Sequence, residues 1–178
     1  AKVVPMGGVT TLLDVGGGTG LYSYSLLQAN PTLRAVIVEL PEVVRIDAEF
    51  ARAKGLLDRV EIIEGDMFRI DDLPAAQMVL FSNILHDWDE PECRELTARY
   101  AAKLPSGGRM LIHDVFLNDT MDGPLPIALY SSALFSVTEG RAYSAAEYRA
   151  MLNAAGLITD GQIVNTLVHC AVLTGTKP

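Results

Sequence analysis

Leu12-Leu13-Asp14-Val15-Gly16-Gly17-Gly18-Thr19-Gly20 is the stretch whose reading decides the fold. An apolar run (Val9, Leu12, Leu13, Val15) breaks into glycines and is followed by the helical pattern of Leu21 to Leu27. That is a buried strand entering a tight turn and then a helix N-terminus. Backbone N–H groups and the positive end of the helix dipole converge at such a turn, where an anionic or carboxylate-bearing ligand can sit. Glycine belongs there because side chains would block the approach and because some positions need positive φ.

Outward from this turn, apolar runs of strand length alternate with amphipathic stretches, the pattern of a parallel sheet covered by helices. Strands are expected near Thr11–Val15, Ala35–Glu39, Val60–Glu64, Met78–Ser82 and Arg109–Val115, with the last two at Ile158–Val164 and His169–Thr174. Helices are expected near Leu21–Asn30, Pro41–Lys54, Pro91–Lys103 and Ala145–Ala155, the last with Ser144 as N-cap and Gly156 ending it. Phe116 to Arg141 is the least regular segment. It is expected to carry a helix and a substrate-facing loop, with Met121, Leu125, Tyr130, Leu134 and Phe135 lining an acceptor pocket.

With 178 residues, 49% of them hydrophobic, the chain holds enough interior for one full core. A net charge of −8 argues against nucleic acid as a partner, since phosphate binding needs clustered Lys and Arg. Cys93 and Cys170 are too few and too distant for a disulfide framework or a zinc site, and read as thiols of a reducing, cytoplasmic compartment. No apolar stretch reaches membrane-spanning length, and no signal-peptide pattern opens the chain. The first strand starts almost at once after Ala1-Lys2, so a catalytic domain of a longer protein is expected.

Spacing chooses between the cofactors that use a glycine turn. A dinucleotide fingerprint, G-x-G-x-x-G, needs a third glycine where Leu21 stands if counted from Gly16, or Ser23 if counted from Gly18. What is present, Asp14-x-Gly16-x-Gly18-x-Gly20, resembles motif I of the S-adenosylmethionine-dependent methyltransferases. The bland reading is a tight turn in some other α/β domain. Glu39, at the end of the second strand, is placed for a carboxylate to accept from ribose hydroxyls. After the third strand, Asp66 can accept from an adenine amine, while Met67 and Phe68 offer apolar faces to the ring.

Leu85-His86-Asp87-Trp88 follows the fourth strand. Together with the glycine turn, Glu39-Leu40-Pro41 and Gly65-Asp66-Met67-Phe68, it resembles the plant-type, metal-independent O-methyltransferases, which include caffeic acid, acetylserotonin and bacterial polyketide O-methyltransferases. The resemblance covers nearly the whole chain. It implies a class I methyltransferase α/β fold: a seven-stranded, mostly parallel sheet with an antiparallel last strand and helices on both faces. It further implies S-adenosyl-L-methionine as cofactor and a hydroxyl of a small, aromatic molecule as acceptor. Asp14, Gly16, Gly18 and Gly20 would hold the methionine end, Glu39 the ribose, and Asp66 and Met67 the adenine; Ser82 and Trp88 would also contact the cofactor. His86 takes the family's position of general base, and Asp114 that of the acid that orients it. The family's second acid position is occupied by Ala142, with Glu139 a displaced candidate. His113 and His169 have no supporting constellation and read as structural.

No metal is expected: Asp87, Asp89 and Glu90 have the spacing of a helix N-terminus, where acids complement the dipole. The family's N-terminal dimerisation domain matches no part of residues 1–178, so a homodimer is expected only of the full-length protein. Rival readings are methylation at nitrogen, sulfur or carbon, a non-methylating relative, a cofactor-binding protein without turnover, and a nicotinamide dehydrogenase.

Overall fold

The structure, a computed structural model, describes residues 1–178. β1 (Thr11–Val15) is covered on both faces, with Leu12 in one core and Leu13 and Val15 in the other. Its neighbours are β2 (Arg34–Glu39) and β4 (Met78–Ser82), both parallel to it; β3 (Val60–Glu64) extends the sheet beyond β2. β5 (Arg109–Leu117) pairs in parallel with β4. The remaining strands are the two-residue β6 (Tyr143–Ser144), β7 (Ile163–Asn165) and β8 (Cys170–Thr176). The order is β3-β2-β1-β4-β5-β8-β7, with β8 antiparallel to β5 and inserted between it and β7. Seven strands, mostly parallel with an antiparallel last strand, are therefore present, and β6 adds a short parallel pair at Phe116 and Leu117.

Helices cover both faces, which is why the central strands are buried on both sides and carry apolar runs rather than an alternation. α1 (Leu21–Ala29) and α2 (Pro41–Ala53) contribute Tyr24, Leu26, Leu27 and Ala51 to a core with Leu12, Ile37 and Met78. On the opposite face, α3 (Glu90–Lys103) and α5 (Ala145–Ala154) contribute Leu96, Tyr100, Tyr148 and Leu152 to a core with Leu13, Val79, Phe81 and Ile112. α4 (Leu125–Val137) lies in the segment expected to be irregular. No helix is long and apolar enough to cross a membrane.

The second-last strand departs from expectation. Only Ile163–Asn165 forms β7, while Ile158 makes an isolated bridge to Thr176. Between them Gly161 adopts φ 75° and donates its N–H to Thr159 Oγ1, a turn that an extended run cannot contain. Val168 and His169 both take positive φ in the hairpin joining β7 to β8, so β8 starts at Cys170 and runs two residues past Thr174.

α5 is fixed at its start by a full capping box. Ser144 Oγ accepts from the Glu147 N–H, and Glu147 Oε2 accepts from the Ser144 N–H. Just upstream, Gly140 lies against the 3₁₀ turn Leu85–Asp87 that comes after β4. A Cβ on Gly140 would fall 2.3 Å from the His86 carbonyl oxygen and 2.5 Å from the Trp88 nitrogen. Main chain must yield to such a group, so Gly140→Ala is expected to destabilise the protein by about 1–3 kcal/mol, read as a lowered denaturant midpoint at unchanged m-value.

Candidate active site

The carboxyl ends of β1 and β4 lie side by side at the point where the strand order reverses, which is where open α/β sheets form their ligand crevice. The glycine turn leaves β1 with φ of 68° at Gly16, 59° at Gly18 and 70° at Gly20, the last being the N-cap of α1. A Cβ on Gly16 would sit 2.6 Å from Ile84 Cδ1, so the turn packs directly under the segment that carries His86. At Gly18 a Cβ would meet nothing within 4 Å, leaving this part of the turn open.

Acidic groups gather around that turn. Glu39 accepts from the Gly18 N–H and the Leu40 N–H, each at 2.8 Å. Asp14 is buried; its Oδ2 accepts from Ser23 at 2.6 Å, while its Oδ1 has no partner. Burial pushes the Asp14 carboxyl up to about 7 against the bond from Ser23, and the charges of Asp47 and Glu39 add to the rise. Asp47 is also buried, accepts from the Tyr24 hydroxyl, and keeps an unpartnered Oδ2. A buried carboxylate with an orphaned oxygen is costly to keep ionised. Three acids beside an open glycine turn, two of them with such an oxygen, fit a ligand that brings both backbone-seeking oxygens and positive charge.

Past β3, Asp66 turns one oxygen to the Phe68 N–H at 2.9 Å and the other to Arg69 at 3.4 Å. Met67 is half-buried against the core, its carbonyl accepting from the Tyr100 hydroxyl at 3.0 Å. Phe68 stands edge-on to Trp88 with ring centroids 4.7 Å apart. Trp88 is half-buried, and its carbonyl accepts from the Tyr143 hydroxyl at 2.7 Å.

His86 stands on the turn after β4, two residues past the Ile84 that packs against Gly16. Its Nδ1 is 2.5 Å from Asp114 Oδ1, and both side chains are buried. Asp114 Oδ1 also accepts from the Val115 N–H at 2.8 Å. The other edge of the ring, Nε2, lies 3.4 Å from the Tyr130 hydroxyl on α4 and 3.6 Å from Asp87 Oδ1. Burial opposes the imidazolium, but the bond to Asp114 and the charges of Asp114 and Asp87 outweigh it, so the net shift is upward. A carboxylate on Nδ1 fixes the tautomer and leaves Nε2 to exchange protons.

The sequence pattern brought His86 and Asp114 together, but three placements differ from expectation. Ser82 is bonded at 2.8 Å to His113 Nδ1, whose Nε2 meets Thr166 Oγ1 at 3.0 Å. His113, read as structural, thus joins β4, β5 and the β7–β8 hairpin and lines a cavity of about 1100 Å³ together with Tyr22, Leu111, Tyr130 and Val172. Of the five residues expected in the acceptor pocket only Tyr130 lines this cavity; Leu125 and Phe135 are 70% and 80% exposed, because α4 turns Ile127 and Leu134 inward at helical spacing. Ala142 is fully buried beside Val115 and Ile127 with its N–H on Ser131 Oγ, and the exposed Glu139 side chain makes no hydrogen bond. Asp89 caps α3 and Glu90 pairs with Arg94 on its first turn.

Comparison with known proteins assigns the chain to a family. Residues 2–158 match the profile of the O-methyltransferase domain family, and the chain belongs to that family. It is similar to 3-hydroxy-5-methyl-1-naphthoate 3-O-methyltransferase of Streptomyces sahachiroi, at 39% identity over 88% of this chain and 45% of that protein. Among solved structures, an O-methyltransferase family 2 protein from Planctomyces limnophilus in complex with apigenin superposes with a TM-score of 0.95 at 46% identity, over 99% of this chain and 56% of that one. Human N-acetylserotonin methyltransferase in complex with SAM superposes with a TM-score of 0.88 at 26% identity, over 99% and 50%. The chain spans about half the length of these relatives.

The orphaned Asp14 sets a trade between stability and binding. Its folded-state value is raised from 3.8 to about 7, so the folded form prefers the proton and loses stability as pH rises across that interval. Asp14→Asn removes this penalty. It is expected to stabilise the ligand-free protein by roughly 1–4 kcal/mol at pH 8 and by much less at pH 4, measured by thermal melts at both values.

Proposed function

We propose that this chain is the catalytic domain of an O-methyltransferase that moves the methyl group of S-adenosyl-L-methionine to a hydroxyl of a small aromatic metabolite. The observation that carries this is the buried His86–Asp114 pair, 2.5 Å apart, beside a glycine turn lined with acids. The naphthoate-methylating and apigenin-bound relatives support an aromatic acceptor, and the SAM-bound one supports the cofactor.

Asp14, Gly16, Gly18 and Gly20 would hold the methionine end, the ammonium and sulfonium charges relieving the orphaned carboxylates. Glu39 would take the ribose, and Asp66 and Met67 the adenine, with Trp88 against it. Ser82 belongs to this cradle by its place at the end of β4, its hydroxyl being engaged with His113. When bound, the cofactor supplies an electrophilic methyl carbon.

The chain's own residues do the proton chemistry. A phenol is mostly neutral at pH 7, so its proton must be accepted as the nucleophile attacks. Neutral His86 accepts it at Nε2, the edge that faces the Tyr130 phenol. Asp114 holds Nδ1–H, keeps the ring in register and stabilises the imidazolium that forms. With an imidazole as base the reaction needs no metal.

We also infer that the protein acts in the cytoplasm, supported by the free thiols Cys93 and Cys170, and that the full-length protein is a homodimer, supported by the exposed apolar Leu125, Leu129, Phe135 and Val137 of α4.

His86→Ala is expected to lower kcat by about 10²–10⁴-fold while calorimetric affinity for the cofactor stays within about twofold. In the parent enzyme, kcat/KM should rise with pH and level off above the ordinary imidazole value of 6.5, because the base works only once deprotonated and its partners hold the proton on. Full activity in the alanine variant would remove His86 from the role. Methylated amines, thiols or ring carbons in place of ethers, or cofactor binding without turnover over a broad phenol panel, would replace the acceptor or the enzyme reading.

A further inference from the structure

We infer that Tyr148, on the first turn of α5, is a positioning residue for the base, acting through Asp114. Its hydroxyl donates to Asp114 Oδ2 at 3.1 Å, the oxygen that His86 does not use. The three bonds divide cleanly: Oδ1 takes His86 Nδ1 and the Val115 N–H, and Oδ2 takes Tyr148. With Tyr148 in place no oxygen of Asp114 is left unpartnered, unlike Asp14 and Asp47.

The phenol cannot wander from this task. Tyr148 is fully buried, with its ring against Phe116 at 5.4 Å and Tyr143 at 5.3 Å between centroids. Its helix is held from below by the capping box of Ser144 and Glu147, by the Arg141–Glu147 ion pair and by β6 pairing with β5. On one side the Asp114 carboxylate meets the His86 ring, and a neutral donor holds its far side. A donor adds no charge to a site already containing Asp87 and Asp114, whereas a second buried carboxylate would have to be ionised against both.

The inference rests on His86 as the base, and its consequence is directional. With both oxygens bonded, the negative charge of Asp114 is shared between imidazole and phenol. Without the phenol, the charge concentrates on Oδ1 and grips the Nδ1 proton more tightly, raising the imidazolium. Of the other groups near the pair, Asp87 and Tyr130 face His86, while Cys93 from α3, Cys170 from β8 and neighbouring His113 feel the Asp114 charge.

The test is Tyr148→Phe, which keeps the ring and removes one oxygen, in the parent protein and in an Asp114→Asn background. His86 is titrated by NMR, and kcat, KM and melting temperature are measured in parallel. A bond to a charged partner is worth a factor of about ten, so kcat is expected to fall roughly tenfold with KM for both substrates little changed. The His86 titration and the acid limb of the rate profile should both move up in pH, and the same substitution should shift neither in the Asn background. An unmoved titration in the folded Phe variant, or an equal loss with Asn at position 114, would overturn the inference. If Tyr148→Phe does not fold, Tyr148→Leu and Tyr148→Met, which also lack a donor and are no larger than tyrosine, supply the same readout. Because the titration needs no turnover, a protein that methylates nothing would refute the base while leaving the Tyr148 result legible.

Discussion

The parallel pairing of β1 with β4 is the constraint on which everything else hangs. Leu12, Leu13 and Asp14 register with Met78, Val79 and Leu80, although more than sixty residues separate them in the chain. Because the two strands run the same way, their carboxyl ends finish together, and the segments leaving those ends become neighbours. β1 leads into a turn of glycines and β4 into the turn that presents His86. The contact of Ile84 with Gly16 is the seam between them. Any larger residue at Gly16 would be strained by its positive φ and would displace the end of the Ile84 side chain, so backbone freedom at one strand end is required by the packing against the other.

That requirement explains why the site is electrostatically unfinished in the protein alone. Buried polar groups are ordinarily bonded. Here Asp14 and Asp47 each leave an oxygen without a donor, and Glu39 stands close enough to raise Asp14 further. The sheet cores, rich in leucine and valine on both faces, offset this local cost. The unpartnered oxygens of Asp14 and Asp47 lie beside the glycine turn, whereas His86 has a partner at each ring nitrogen. The contrast fits a binding cradle that waits for a partner and a catalytic group that must be held still before one arrives.

Most of the fold was legible because it rests on local signals that point the same way. The strands at Thr11–Val15, Val60–Glu64 and Met78–Ser82 are apolar runs between turn residues, and Ser144 caps α5 as its sequence dictates. The hairpin between β7 and β8 was less legible, since Val168 and His169 adopt positive φ against their own preference. The orientation of α4 was also hidden: nearly every position of Leu125–Val137 is apolar or small, so no polar stripe marks its outer face. In the site, His86 and Asp114 were found by motif, but Tyr148 was not. A tyrosine on the inward face of a helix reads as core, and nothing in sequence says where its hydroxyl will end.

His86 and His113 show what decides a histidine's chemistry in this sheet. Both are buried and both bond through two ring nitrogens to neighbours. His113 meets only the hydroxyls of Ser82 and Thr166, which serve a neutral ring as donor and acceptor alike, and burial holds its proton affinity down. His86 meets a carboxylate on one side and a phenol with a second carboxylate on the other, and its affinity for a proton rises despite similar burial. Adjacent Asp114 raises His113 as well, yet without a direct bond its field does not overcome desolvation. What separates the two histidines in proton affinity is therefore one hydrogen bond to a charged acceptor. On the far side of that acceptor stands Tyr148 of α5, whose hydroxyl donates to Asp114 Oδ2.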